Sequence, residues 1–155
     1  LITDKAKSYL WTDSTSNGYP SFIRNLSPYW KKTGISSPQI LSHRNEIFIN
    51  KGFRSKSILR FQGKTICQVK DKQWNTLYAN HPLRVDYVWI CKGYYGTIKK
   101  LQSVFSIQNV ILDASLPLVY REQFEKECRI LRLSYISLGT SGAYFVPQPE
   151  TLPAK

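Results

Sequence analysis

The 155 residues contain no methionine, only two histidines, three cysteines and ten acidic residues. Each scarcity closes off a class of function. A chain that starts at Leu1 without any methionine is expected to be a piece of a longer protein or a processed product. No basic start is followed by an apolar run, so no signal peptide is expected. No stretch approaches the roughly 20 consecutive apolar residues of a membrane-spanning helix. His43 and His81 lie far apart in loop-like contexts, whereas a zinc site draws three or four converging donors. There is no GxSxG elbow, no P-loop and no GxGxxG, and Gly93-Tyr-Tyr-Gly96 is too short to cradle phosphate. Without a CxxC pair, Cys67, Cys91 and Cys128 encode neither a zinc ribbon nor a complete disulfide framework. All three sit in apolar patterns and read as buried thiols. A Cys67–Cys91 bridge stays open for an oxidising compartment.

What the chain has in excess is positive charge. Lys and Arg number 22, for a formal net charge of +12 and a sequence pI near 9.7. Residues 1–100 hold 17 basic and five acidic side chains, and residues 101–155 hold five of each. The densest run is 51–72, where Lys51, Arg54, Lys56, Arg60, Lys64, Lys70 and Lys72 face Asp71 alone. Such a one-sided field concentrates polyanions, whether nucleic acid or anionic headgroups. It equally describes a solvated basic face that keeps a domain in solution.

Hydrophobic patterning predicts an α/β domain over residues 1–146 with a Pro-rich tail at 147–155. Residues 7–13 read as a short strand. A helix follows from about Tyr19 to Lys32, because Phe22, Ile23, Leu26, Tyr29 and Trp30 share one face of a 3.6-residue period. Pro28 is expected to bend this helix, and Gly34 to end it. Glu46–Asn50, Ser57–Phe61 and Thr65–Val69 read as strands, with Gly52 and Gly63 as breaks and a tight hairpin at Gln62-Gly63. Residues 70–84 look irregular, with Trp74 and Tyr78 packing back onto the body. Val85–Cys91 is a nearly continuous apolar run, as in a strand covered on both faces. A short amphipathic helix carries Ile98, Leu101, Val104 and Phe105, and Asn109–Asp113 is a second buried strand. The helix Tyr120–Leu133 turns Phe124, Cys128 and Leu131 inward, together with Tyr120. Tyr135–Leu138 and Ala143–Val146 close as strands around Gly139 and Gly142. Strand–helix–strand–helix–strand at this spacing is a parallel βαβαβ unit, on which a β-rich basic half leans.

One pair of carboxylates stands out, Asp86 inside a strand and Asp113 at the end of one. Asp113 lies where α/β sheets present functional groups, but Asp113-Ala-Ser115 serves as well as a turn or helix cap. Without histidines, such a pair makes a poor hydrolase.

Leu83-Arg-Val-Asp-Tyr-Val-Trp-Ile-Cys-Lys-Gly93, Val110-Ile-Leu-Asp-Ala-Ser115, the Arg/Glu-rich helix from Tyr120, and Gly142-Ala-Tyr144 resemble, in order and spacing, the end of ComEC-type proteins. Thr12-Asp13 and Tyr29-Trp30 join the resemblance, which covers most of residues 7–146. ComEC-type proteins are bacterial competence proteins of the inner membrane that carry transforming DNA, and their C-terminal part is a metallo-β-lactamase-like domain. The resemblance implies a partial αββα sandwich of mixed β half plus βαβαβ half, in a soluble domain facing outside the cytoplasm. Departures from the pattern matter more. Enzymatic members carry HxHxDH after the first helix, where Ile35 to Asn50 offers only His43. They also carry His-His-Gly-Ser after the strand matching 85–91, where this chain has Lys92-Gly93-Tyr94-Tyr95. The expectation is a degenerate branch with no catalytic residues, no metal ligands and no cofactor.

Two readings follow. In the first the domain contacts incoming DNA, expected to be single-stranded. Lys51, Arg54, Lys56, Arg60, Lys64, Lys92, Lys99 and Lys100 would meet phosphates, and Tyr94 and Tyr95, flanked by glycines, would stack on bases. Phe53 and Trp74 are weaker candidates for stacking, and for Trp74 core packing is preferred. In the second the domain is a scaffold for the transmembrane channel portion of the same chain, its basic face meeting anionic lipid or a partner. A metal-dependent nuclease ranks third.

Overall fold

A computed structural model describes residues 2–4, 7–11, 21–32, 34–35, 38–41, 47–49, 52–55, 57–61 and 63–144. The chain divides into two compact units, residues 1–56 and 57–155.

In the first unit, strands β1 (Ile2–Asp4), β2 (Lys7–Trp11) and β3 (Gln39–Leu41) form a small sheet, β1 antiparallel and β3 parallel to β2. Helix α1 (Ser21–Lys32) lies between β2 and β3 in the chain and runs on through Pro28. It ends in a Schellman motif. Gly34, at φ +74°, donates its N–H to the Lys31 carbonyl, and Ile35 donates to the Trp30 carbonyl at 2.8 Å. The hydrophobic contact that accompanies such a cap is present, because Ile35 packs on Trp30 and Leu10. Trp30 is the buried end of the predicted apolar face, whereas Leu26 and Tyr29 stay half-exposed. Strands β4 (Ile47–Ile49) and β5 (Gly52–Ser55) pair antiparallel. Gly52, read as a break, therefore opens a strand.

The second unit is built on a five-stranded mixed sheet. Strand β6 (Ile58–Phe61) pairs antiparallel with β7 (Lys64–Val69), and the register Phe61↔Lys64 fits the two-residue hairpin, with Gly63 at φ +78°. Strands β8 (Leu83–Ile90), β9 (Phe105–Leu112) and β10 (Ser134–Ser137) then add in sequence, each parallel to the one before. Three successive crossovers in one direction, all right-handed, would put their connections on one face. The connections are a 3₁₀ turn at Lys72–Asn75, helix α2 (Ile98–Gln102) and helix α3 (Leu118–Ile130). They do pack against one another, around a core of Val69, Val88, Ile90, Tyr94, Leu101, Val110, Phe124 and Cys128. A last short helix, α4 (Leu138–Ser141), follows β10.

The long apolar runs of β8 and β9 have a specific cause. Core positions are Val85, Val88 and Ile90 on one strand and Ile107, Val110 and Leu112 on the other. The two-residue alternation therefore skips once in each strand. The pairing register is the same on both sides, Val85↔Ile107 before and Tyr87↔Asn109 after, so the two strands skip side by side. The Asn109 side-chain amide donates to the Asp86 carbonyl there, at 3.1 Å. Beyond the skip, Tyr87 and Ile111 are buried on the other face of the sheet.

Several expectations change. Trp74 packs into the core 5.3 Å from the Phe105 ring, as preferred, but Tyr78 is 74% exposed. Phe105 opens β9 instead of closing α2. Gly139 lies within α4, and Ala143 and Tyr144 are not strand, while residues 145–155 lie outside the described ones. All three cysteines are buried, and none is in a disulfide. Cys67 sits opposite Val88, three residues short of Cys91. That is about 10 Å along the strand, farther than a disulfide reaches.

Candidate nucleic-acid interface

The loop between β8 and α2, residues 91–97, follows the carboxyl end of a parallel strand, where such sheets place ligand-binding groups. Its shape is dictated residue by residue. Gly93 has φ +108° and lies so close to the Lys70 carbonyl that no Cβ would fit. Gly96 is likewise pressed against the Asn75 side chain and the Tyr94 hydroxyl. Between them Tyr94 points inward and is completely buried, its ring stacked 5.9 Å from Phe124. Its hydroxyl donates to the Thr97 carbonyl at 2.8 Å. Burial, and then the Glu127 carboxylate, hold that phenol well above its ordinary pKa. Thr97 caps α2 by accepting from the Lys100 N–H, and Glu127 accepts from the Ile98 N–H at 2.6 Å.

This fixed loop presents Lys92 and Tyr95 outward. Lys92 is exposed, and its backbone N–H donates to the Ser115 hydroxyl. Tyr95 is 40% exposed, its ring 4.7 Å from that of Tyr120. Tyr120, turned inward by the sequence reading, does pack against the core, and its ring also closes an aromatic pair with Tyr95 at the mouth of the loop, a role the sequence did not show. Lys99, exposed, and Lys100, half-buried, follow on α2.

Of the ten residues singled out from the sequence, those described in the second unit do not form one surface. A completely buried Tyr94 offers no ring face to a base, so it is a packing residue and not a stacking one. Arg60 is exposed on β6, but Lys64 is committed to Asp86, 3.5 Å away. Within the second unit these two lie at the hairpin, the opposite end of β7 from the strand ends that carry Lys92. Lys51 and Lys56 fall outside the described residues, as do the side chains of Phe53 and Arg54 on β5.

The carboxylates are structural. Asp86 accepts from the Thr65 N–H at 2.9 Å beside its Lys64 partner. Asp113 accepts from the Ser115 N–H and from the Trp89 indole, both at 2.8 Å, so the turn reading of Asp113-Ala-Ser115 holds. Among the described residues no three His, Cys, Asp or Glu side chains are grouped to hold a metal ion.

The profile of the ComEC C-terminal domain family matches residues 1–148. The chain belongs to that family. No curated protein and no solved structure matches it. Membership makes this ComEC domain part of a competence protein for DNA uptake, and ComEC proteins are membrane proteins. Among the described residues no helix is long and apolar enough to cross a membrane. The ComEC assignment also covers the 91–97 loop, which lies wholly inside the matched span.

Proposed function

We propose that this ComEC domain is a non-catalytic module that contacts single-stranded DNA at the 91–97 loop. The observation that carries the reading is the pairing, on a loop fixed by Gly93 and Tyr94, of an exposed cation with a half-exposed aromatic pair. Phosphate contacts come from Lys92 and Lys99, and the Tyr95–Tyr120 pair supplies the stacking platform. Single strands are favoured over duplex because an aromatic face is useful only to an unstacked base. The carboxylates next to the loop are engaged, Asp113 with the Ser115 N–H and the Trp89 indole and Glu127 with the Ile98 N–H.

The non-catalytic part of the proposal rests on the same loop. Where enzymatic relatives carry His-His-Gly-Ser, this chain has an exposed Lys92, a side-chain-free Gly93, a buried Tyr94 and a paired Tyr95. None of these is a metal ligand in the sense of imidazole or carboxylate. The domain remains metallo-β-lactamase-like in ancestry: a parallel βαβαβ sheet with helices packed on one face, and buried Tyr87 and Ile111 on the other, fits one helix-backed layer of an αββα sandwich.

Fluorescence anisotropy with labelled single- and double-stranded oligonucleotides over a salt series tests the reading. Replacing Tyr95 by Ala should weaken single-strand binding by about 1–3 kcal/mol. Replacing Lys92 and Lys99 by Glu should flatten the dependence of log K on log salt by about 0.7 per lost phosphate contact. Metal analysis and a nuclease assay on the same sample test the second half: stoichiometric zinc or manganese with turnover would overturn it.

A further inference from the structure

Of the eight large apolar side chains that the described part of this unit leaves exposed, Leu77, Tyr78, Leu83 and Ile130 flank the starts of its parallel strands, and Tyr95, Leu118, Val119 and Tyr144 lie elsewhere. The parallel strands β8 and β9 start together at one end of the sheet, Leu83 opposite Phe105, and β10 joins four residues further along, Ser134 opposite Asn109. Leu77 and Tyr78 lie in the segment leading into β8, Leu83 is its first residue, and Ile130 ends α3 just before β10. They are 42%, 74%, 47% and 69% exposed respectively. Backbone hydrogen bonds tie this edge together: Ala79 donates to the Ser103 carbonyl at 3.1 Å and Leu83 to the Val104 carbonyl at 2.9 Å. Exposed Arg84, His81 and Arg132 share the edge. Of the acidic groups on the elements that reach it, Asp86 pairs with Lys64, Glu125 with Arg129, Asp71 accepts from Gln73 and Glu127 from the Ile98 N–H, while the exposed Glu122 lies about two helical turns back from Ile130 along α3.

A tyrosine, two leucines and an isoleucine, accompanied by two exposed arginines, is the composition of a surface that seats in the headgroup region of an anionic bilayer. The apolar tips reach the acyl boundary while the guanidinium groups stay with the phosphates. A protein partner with an apolar groove would not require the arginines, and a nucleic acid would not require aliphatic tips. The geometry points to a peripheral membrane-docking edge that takes anionic phospholipid. Strand β8 spans eight residues, about 25 Å, so an edge seated on the bilayer holds the 91–97 loop at the far end of the sheet. The inference stands whether or not that loop binds DNA.

The test is flotation of the 155-residue chain with vesicles of phosphatidylcholine alone and of phosphatidylcholine with phosphatidylglycerol. The chain should partition onto the phosphatidylglycerol vesicles and leave the neutral ones. A Leu77→Glu/Tyr78→Glu variant and, separately, an Arg84→Glu/Arg132→Glu variant should each lose about tenfold or more in partitioning. Both alter exposed positions, and a wild-type urea midpoint confirms that each is folded. Single-strand DNA affinity measured on the same variants should be unchanged, which separates this edge from the loop. Wild-type chain that ignores phosphatidylglycerol, or variants that partition as wild type does, would overturn the proposal. So would self-association of the wild type that the apolar variant abolishes, since the edge would then meet a second copy.

Discussion

Tyr94 and Tyr95 are adjacent, identical in chemistry and opposite in placement, so replacing each by alanine separates packing from binding. Tyr94 is completely buried, stacks on Phe124 and donates a 2.8 Å hydrogen bond to the Thr97 carbonyl. Its truncation opens a large core cavity, which costs about 3–5 kcal/mol for an aromatic side chain. It also strands a carbonyl acceptor, so a value near the top of that range is expected. At about 3 °C per kcal/mol for a chain of this size, Tyr94→Ala should lower Tm by about 15 °C. Tyr94→Phe removes only the hydroxyl and should cost about 1–2 kcal/mol. Tyr95 is 40% exposed and touches Tyr120, so Tyr95→Ala forfeits one aromatic pair, about 1 kcal/mol, and shifts Tm by about 3 °C. Thermal and urea unfolding followed by circular dichroism reads all three. A Tyr94→Ala variant within 1 kcal/mol of wild type would refute the packing argument. The loop would then not be fixed from below, and the presentation of Lys92 and Tyr95 would lose its basis.

Further consequences can be checked on the same instruments. Gly93→Ala should destabilise by about 2 kcal/mol or more, since φ is +108° and a Cβ would run into the Lys70 carbonyl; a neutral effect on the urea midpoint would contradict that. Arg132 occupies the left-handed position of the Schellman motif that ends α3, at φ +53°, with Leu133 donating to the Cys128 carbonyl. Arg132→Gly should therefore raise stability by up to about 1 kcal/mol, visible as a higher urea midpoint. Burial pushes the Cys67 and Cys128 thiols from an ordinary value of 9.0 up to about 12. The unfolded chain loses these protons first. The stability contributed by the neutral buried thiols is thus complete below pH 9.0 and is lost as pH rises toward about 12. Urea midpoints at pH 8 and 10.5 should differ in that direction, and an aromatic disulfide reagent at pH 8 should leave both thiols unlabelled until denaturant is added.

The parallel βαβαβ half was legible because long elements with strong periodicity carry their own assignment: Phe124 and Cys128 one helical turn apart, and the apolar runs ending at Cys91 and Asp113. Short elements were not. Strands β3 and β5 hold three and four residues, too few for a pattern, and Gly52 mimics a break. The site was half legible. A glycine on each side of Tyr94-Tyr95 signals a loop, but the left-handed turn at Gly93 decides which ring goes inward, and it depends on the distant Lys70 carbonyl. Tyr78 was misread for a related reason, because an aromatic in a polar stretch matches the pattern of a packing residue such as Trp74. Lys64 looked like a free cation until the fold placed Asp86, 22 residues later in the chain, beside it. Such pairings across the sheet have no local signature.

Anisotropy titration of wild-type chain and Tyr95→Ala with a labelled single-stranded oligonucleotide, repeated at several salt concentrations, tests the central claim most directly. Wild-type chain should bind with log K falling linearly with log salt, and Tyr95→Ala should bind about 1–3 kcal/mol more weakly at every salt concentration. A folded wild-type chain with no single-strand affinity at low salt, or a Tyr95→Ala variant that binds as wild type does, would contradict it.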